Sequence, residues 1–303
     1  FIGSNFVPYN DGLSLFATVD RADQQVRLQW REEEQGGIID NLKEYLIPNF
    51  MSPEQINLKF KALIHEAEEA KFSGWDFPFL NDRWITSQPS WDYREIVSEK
   101  LKDAQTLLDM GTGGGEFLST LPLPKTTFAT EGYAPNVPVA KERLEKLGVQ
   151  VIDDYTDDTL PLDNNYFDLV INRHESFSPH EVFRILKPGG LFITQQVGGR
   201  DNIQLNEFLQ DEVDFEYSCW TKDFAVKGIA EAGFQILRAE EEYPEANFHD
   251  IGAVVYYLKI IEWQIADFSV EKYRQQLFKL HQQIDQSGKF TTYNHRFLIE
   301  AKK

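Results

Sequence analysis

From Leu107 the chain reads Leu-Leu-Asp-Met-Gly-Thr-Gly-Gly-Gly-Glu-Phe-Leu, ending at Leu118. Asp109 is a carboxylate closing an apolar run. Gly111, Thr112 and Gly113 follow as a turn, and at Gly111 and Gly113 no Cβ keeps a ligand off the main chain. Amides at such a turn, and at the start of a helix behind it, can donate to an anionic group. A second carboxylate, Glu131, stands 22 positions after Asp109, at the end of the next strand-like run, Thr126–Thr130. An acidic residue about 20 positions past a glycine turn is placed to accept hydrogen bonds from ribose hydroxyls. Types and spacing together describe a grip on a nucleoside-like ligand.

Further candidates lie downstream. Gly132 follows Glu131, and Tyr133 could cover one face of an adenine. Asp153, Asp154 and Tyr155 follow a third apolar run, Val149–Asp153, with Asp158 a little beyond. Asn172 ends a fourth run, Phe167–Asn172, and Arg173-His174-Glu175-Ser176 comes next. Strand ends at this place border the crevice of open α/β sheets. His174 is therefore a candidate general base near neutral pH. Trp91, Tyr93 and Trp220 could contact a substrate, since aromatic rings give large contact area. For each, packing is the ordinary role.

Positioning these residues requires alternating strands and helices. The apolar runs predict strands at 106–110, 126–130, 149–153, 167–172, 191–197, 234–242 and 296–300. Between them fall helix signals. A short helix is expected after the glycine turn, ending before Pro122. Asn136 is expected to cap a helix to about Leu147, stopped by Gly148. Ser178-Pro-His-Glu181 opens another, and Lys187-Pro-Gly-Gly190 ends it. Upstream, Leu13–Val19 and Gln25–Trp30 suggest a hairpin. Ile38–Leu46 reads as a helix, and Ser52-Pro53 starts a second with an apolar stripe at Ile56, Phe60, Leu63, Ile64 and Ala67. An aromatic stretch at 72–93 reads as loop, and helices are expected at His249–Ala266 and Ser269–Gln286. Phe248, Tyr256 and Trp263 in that insertion could line a pocket.

Composition narrows the class. With 303 residues the chain is long enough for one large domain or two small ones. Thirty basic against 49 acidic residues give −19, which argues against nucleic acid as a generic partner. No apolar run approaches the ~20 residues of a membrane span, and the first residues show no secretory signal. The single cysteine, Cys219, excludes internal disulfides and a cysteine metal cluster. It is expected as a buried structural thiol in a reducing cytoplasm. No His/Cys spacing predicts a metal.

Asp109-x-Gly111-x-Gly113-x-Gly115 resembles the first motif of the class I S-adenosylmethionine-dependent methyltransferases (type 11-like). Phe167-Asp-Leu-Val170 and Leu186-Lys-Pro-Gly-Gly190 are similar to later texts of that family. The resemblance covers roughly 100–200 strongly and 221–303 in outline. It implies an α/β fold, a doubly wound Rossmann-like seven-stranded sheet with its last strand antiparallel. A helical cap would occupy 38–98, and a helical insertion, about 247–288, would interrupt a methyltransferase domain at 99–303. Residues 1–37 would form an extension. The implied cofactor is S-adenosylmethionine, with S-adenosylhomocysteine as product. Asp109 would meet its ammonium, Glu131 its ribose, and one of Asp153, Asp154 or Asp158 its adenine. A small-molecule acceptor is expected. The competing readings are an NAD-dependent oxidoreductase, opposed by Glu116 where a third fingerprint glycine would stand, and a non-catalytic nucleoside-binding protein.

Overall fold

The computed structural model describes residues 53–71, 77–213 and 217–303, together with the backbone of three strands near the N-terminus. Those strands, β1 (Ser14–Asp20), β2 (Gln25–Arg31) and β3 (Gly36–Ile38), form an antiparallel sheet in which Ser14 pairs with Arg31 and Asp20 with Gln25. The expected hairpin is there, with a third strand added. Ile38 ends β3, and the rest of the helix expected to Leu46 lies outside the described residues. The chain divides into two units, Phe1–Asn57 and Leu58–Lys303.

The second unit is built on β5 (Thr106–Met110), β6 (Thr126–Thr130), β7 (Gln150–Ile152), β8 (Phe167–Arg173), β9 (Leu186–Val197), β10 (Gln235–Glu242) and β13 (Arg296–Lys302). Their order is β10-β13-β9-β8-β5-β6-β7. All neighbours are parallel except β13, which runs antiparallel to both β9 and β10. This is the expected seven-stranded doubly wound sheet.

Strands buried on both faces read as continuous apolar runs, and alternate residues enter opposite cores. Leu107, Leu169, Ile171, Ile193 and Leu298 pack with α2 (Tyr93–Leu101) and α3 (Val137–Leu144). Leu108, Met110, Val170, Phe192, Phe297 and Ile299 pack on the other side with α4 (Pro179–Ile185) and α6 (Lys222–Glu231). Leu107 and Leu108 are both 0% exposed, and each such side chain contributes about 1.5–3 kcal/mol.

A third core joins α1 (Pro53–Glu69), from Phe60 onward, to α5 (Ile203–Leu209), α7 (Ile251–Ile260) and α8 (Arg274–Ser287). The insertion is not all helix. β11 (Glu245–Phe248) pairs antiparallel with both β12 (Phe290–Tyr293) and β4 (Trp84–Thr86). Trp84, expected in a loop, thus belongs to a strand. Phe248 and Tyr256 are buried in this core, whereas Trp263 is exposed. Asp250 caps α7, accepting from Ala253 N at 2.9 Å, and is held by Arg83 Nε at 2.7 Å.

Three local expectations fail for identifiable reasons. After the glycine turn only a 3-10 turn forms, at Leu118–Thr120. Pro122 and Pro124 bar helix growth. Ser119 and Thr120 hydroxyls take the carbonyls of Glu116 and Phe117 at 2.9 and 2.6 Å. Asn136 makes no side-chain cap, because its backbone is already helical (φ −83°, ψ −30°). Cys219 is exposed in a turn, not buried. Among the described residues no helix is long and apolar enough to cross a membrane.

Candidate active site

Chain direction across the sheet reverses between β5 and β8, and Met110 pairs with Asn172 at their C-terminal ends. A crevice opens outside the strand ends at such a switch point. The glycine turn leaves β5 here, and Gly111 and Gly113 take left-handed backbone at φ 69° and 63°. The turn is tied to β6 by Thr112 N donating to Thr130 O at 2.8 Å and Gly111 N to Thr130 Oγ1 at 3.1 Å. Gly115 N donates to Thr112 O at 3.0 Å, and the Gly113 amide addresses the Glu131 carboxylate. The amides of Gly111, Thr112, Gly113 and Gly115 are therefore engaged within the chain, and the turn runs into a 3-10 turn rather than an α-helix.

Asp109 and Glu131 are 5% and 4% exposed. Burial pushes Asp109 up to about 7, against the pull of Thr112 and Arg173 and with a further push from Glu131. Burial likewise raises Glu131, opposed by the Tyr133 amide, which donates at 2.8 Å. Thr112 and Asn136 stand near these carboxylates, yet Thr112 Oγ1 and Asn136 Nδ2 complete no hydrogen bond and are buried. Their proximity favours the ionised carboxylates without satisfying either group. Asn172, 0% exposed, accepts from Thr194 Oγ1 at 2.9 Å and Gln196 Nε2 at 2.6 Å, while its Nδ2 is unpartnered. The two carboxylates suit a cationic group, while the unpartnered Nδ2 donors of Asn136 and Asn172 suit acceptor atoms of a polar ligand.

The chain leaves β8 through His174 in left-handed backbone, φ 65°, its N–H bonded to Gln195 O at 2.8 Å. Trp91 Nε1 donates to Gln195 Oε1 at 2.8 Å, which orients that amide and turns its Nε2 to His174 Nε2 at 3.1 Å. An amide NH2 only donates, so His174 Nε2 accepts and the ring proton belongs on Nδ1. His174 is exposed as a residue, yet protein atoms crowd its ring nitrogens and desolvate them. That desolvation, with Arg296 and Arg173, holds its pKa well below the usual histidine value. Expected as a base, His174 is neutral as a base must be, but its free lone pair is already used.

Beyond His174 the Glu175 side chain lies on Gly111. A Cβ built there would stand 2.7 Å from Oε2. Arg173 places its guanidinium 4.6 Å from the Phe117 ring centroid, beside the glycine turn. Neither residue was singled out from sequence. Their only signal was position, immediately after a strand that ends at the switch point.

Gly132 faces Tyr155, whose hydroxyl a Cβ at Gly132 would meet at 3.4 Å. Asp153 is bound outward to Lys141 at 2.8 Å, and Asp154 and Asp158 are exposed. Tyr133 is 50% exposed. Tyr93 opens α2 rather than lying in a loop, and its hydroxyl donates to Asn172 O at 3.0 Å. Trp91 packs in the same core, but Trp220 packs on Phe177 and Phe297 in the core of the opposite face. The structure brings the first two together and leaves Trp220 apart. A separate hollow of ≈ 420 Å³, lined by Val255, Leu258 and Phe268 among others, lies in the insertion, away from these strand ends.

Residues 108–194 match the profile of the methyltransferase domain family. Among solved structures, a Bacillus halodurans protein assigned as a methyltransferase is 18% identical with a TM-score of 0.51, covering 69% of this chain and 96% of its own. A SAM-dependent methyltransferase from Aquifex aeolicus is 16% identical, with a TM-score of 0.42 and coverage of 84% and 99%. Geranyl diphosphate methyltransferase, solved with GPP and sinefungin, is 14% identical, with a TM-score of 0.41 and coverage of 69% and 77%. No curated protein matches the chain.

Proposed function

We propose that this chain is a class I S-adenosylmethionine-dependent methyltransferase that lays its cofactor across the ends of β5 and β6 and methylates a small-molecule acceptor; its matched domain and its sheet support the reading. One observation carries the site assignment. Asp109 and Glu131 are buried carboxylates at adjacent strand ends, flanking a glycine turn, and neither forms an ion pair among the described residues. Buried charge of one sign is costly unless something compensates it. A ligand with an ammonium and a sulfonium supplies that compensation.

In this reading Asp109 holds the ammonium, and Glu131 holds the ribose with its carboxylate fixed by the Tyr133 amide. Gly111, Thr112, Gly113 and Gly132 form the floor. Arg173, seated on Phe117, takes the cofactor carboxylate, since the amides of Gly111, Thr112, Gly113 and Gly115 are occupied. Asp153, Asp154, Tyr155 and Tyr133 border the adenine, and Asn172 offers its Nδ2 to the crevice. Trp91 and Tyr93 shape the acceptor side, with Trp220 more remote. The bound cofactor supplies a methyl group on a sulfonium, already a good leaving group. The residues must therefore align the acceptor and exclude water. His174 offers a fixed Nδ1–H to orient it. An acceptor needing deprotonation would require Gln195 to release Nε2.

The domain assignment follows: 99–303 is catalytic, with 58–98 and the insertion at about 247–288 as its cap. A charge of −19 favours a small molecule over RNA, and the single cysteine favours a reducing cytoplasm. The test is calorimetric titration with S-adenosylmethionine and NAD, repeated with Asp109→Ala and Glu131→Ala. Binding of the first alone, weakened at least tenfold by each substitution, is expected. Unchanged affinity in both variants rejects the site. Salt-dependent RNA binding would overturn the acceptor class.

A further inference from the structure

We propose that Glu175 reads the charge on the cofactor's sulfur, selecting the sulfonium of S-adenosylmethionine over the thioether of S-adenosylhomocysteine. This rests on the reading above. Asp109 and Glu131 mark the amino-acid and ribose ends of the ligand, and Gly111 lies between them in the fold. The sulfur joins those two parts of the cofactor, so it belongs over the middle of the span. The side chain already lying on Gly111 is that of Glu175.

The remaining observations concern charge. Glu175 forms no ion pair among the described residues, and the charges that act on it are those of Asp157 and Glu131, both negative. Its carboxylate is lightly held, by Ser176 N and Oγ at 3.3 Å each, toward the weak end of hydrogen bonding. Its main chain, by contrast, is fixed: Gln196 Nε2 donates to Glu175 O at 3.0 Å, from the amide that also serves fully buried Asn172. A fixed backbone with a lightly tethered, partly desolvated carboxylate suits a site completed by a cation. In such surroundings a positive charge interacts several times more strongly than in water. A neutral sulfur gains nothing from it. Glu175 thus adds to affinity for the charged form and withdraws that support from the spent one.

The experiment is calorimetry with S-adenosylmethionine, S-adenosylhomocysteine and sinefungin, whose amine carries charge where the sulfur stands. For the natural chain, the two charged ligands are expected to bind at least tenfold tighter than the thioether. Glu175→Gln should lower the affinity of both charged ligands about tenfold while holding S-adenosylhomocysteine within twofold, so that discrimination collapses. Glu175→Asp keeps the charge and should keep most of the discrimination. The thioether affinity doubles as a folding check. Equal weakening of all three ligands, or an unchanged ratio, overturns the proposal and leaves the cofactor reading standing. Failure of the natural chain to bind any of the three overturns both.

Discussion

Asp109→Asn isolates what it costs the fold to keep a charge at the end of β5. The side chain is 5% exposed, and burial lifts its pKa from 3.8 to about 7. A raised folded-state pKa means that the fold prefers the protonated acid. That contribution is fully present below about pH 4, is lost as pH rises through about 7, and levels off beyond. Three units at 1.36 kcal/mol each give a full cost of about 4 kcal/mol for the ionised group. Asparagine keeps the shape and never ionises. The variant should therefore be more stable than the natural chain, and the gap should widen by about 2 kcal/mol between pH 5.5 and 8.5. At pH 8.5 the gap should be about 2–4 kcal/mol, or about 5–15 °C in Tm for a domain of this size. Urea melts of both proteins without cofactor measure it, starting above the sequence pI of 4.7. The difference between the curves cancels the other carboxylates. Parallel curves, or a natural chain more stable at high pH, would refute the reasoning. With S-adenosylmethionine at 100 times its Kd, the natural chain should gain about 2.7 kcal/mol and the variant far less.

Three further outcomes are expected. Nitrogen NMR of His174 should show Nδ1 protonated, Nε2 bare and no titration between pH 6.5 and 8.5; a midpoint at or above 6.5 would contradict the Trp91–Gln195–His174 chain. Gly111→Ala meets both a positive φ and the Glu175 side chain, so it should cost about 1–3 kcal/mol in urea melts and remove cofactor binding. Asp250→Ala deletes the cap of α7 and a partner of Arg83; it should cost about 1–3 kcal/mol while leaving S-adenosylmethionine affinity within threefold.

β5 and β6 were legible residue for residue, because β5 is rich in apolar residues and β6 in threonine and other strand formers, and each is closed by an acid and a glycine. Local types decide those elements. Glu175 was not legible as a partner of Gly111. That approach depends on a histidine taking left-handed backbone, which sequence composition does not announce. Trp91 and Gln195 are likewise 104 positions apart, and only the sheet brings them together. The strand at Glu245–Phe248 was hidden because its pairing depends on segments about 40 and 160 positions away. The short segment after the glycine turn stops before Pro122, as expected, but as a 3-10 turn rather than a helix, because the Ser119 and Thr120 hydroxyls take nearby carbonyls.

The small sheet β12-β11-β4 stitches a segment preceding the first strand of the large sheet to both ends of an excursion near the C-terminus. Its middle strand has no spare edge. Neither contributor can be traded for a homologous piece without stranding the other's hydrogen bonds, so swapping one alone yields a broken ladder. Moving this part of the fold into another chain means moving both stretches at once, in register.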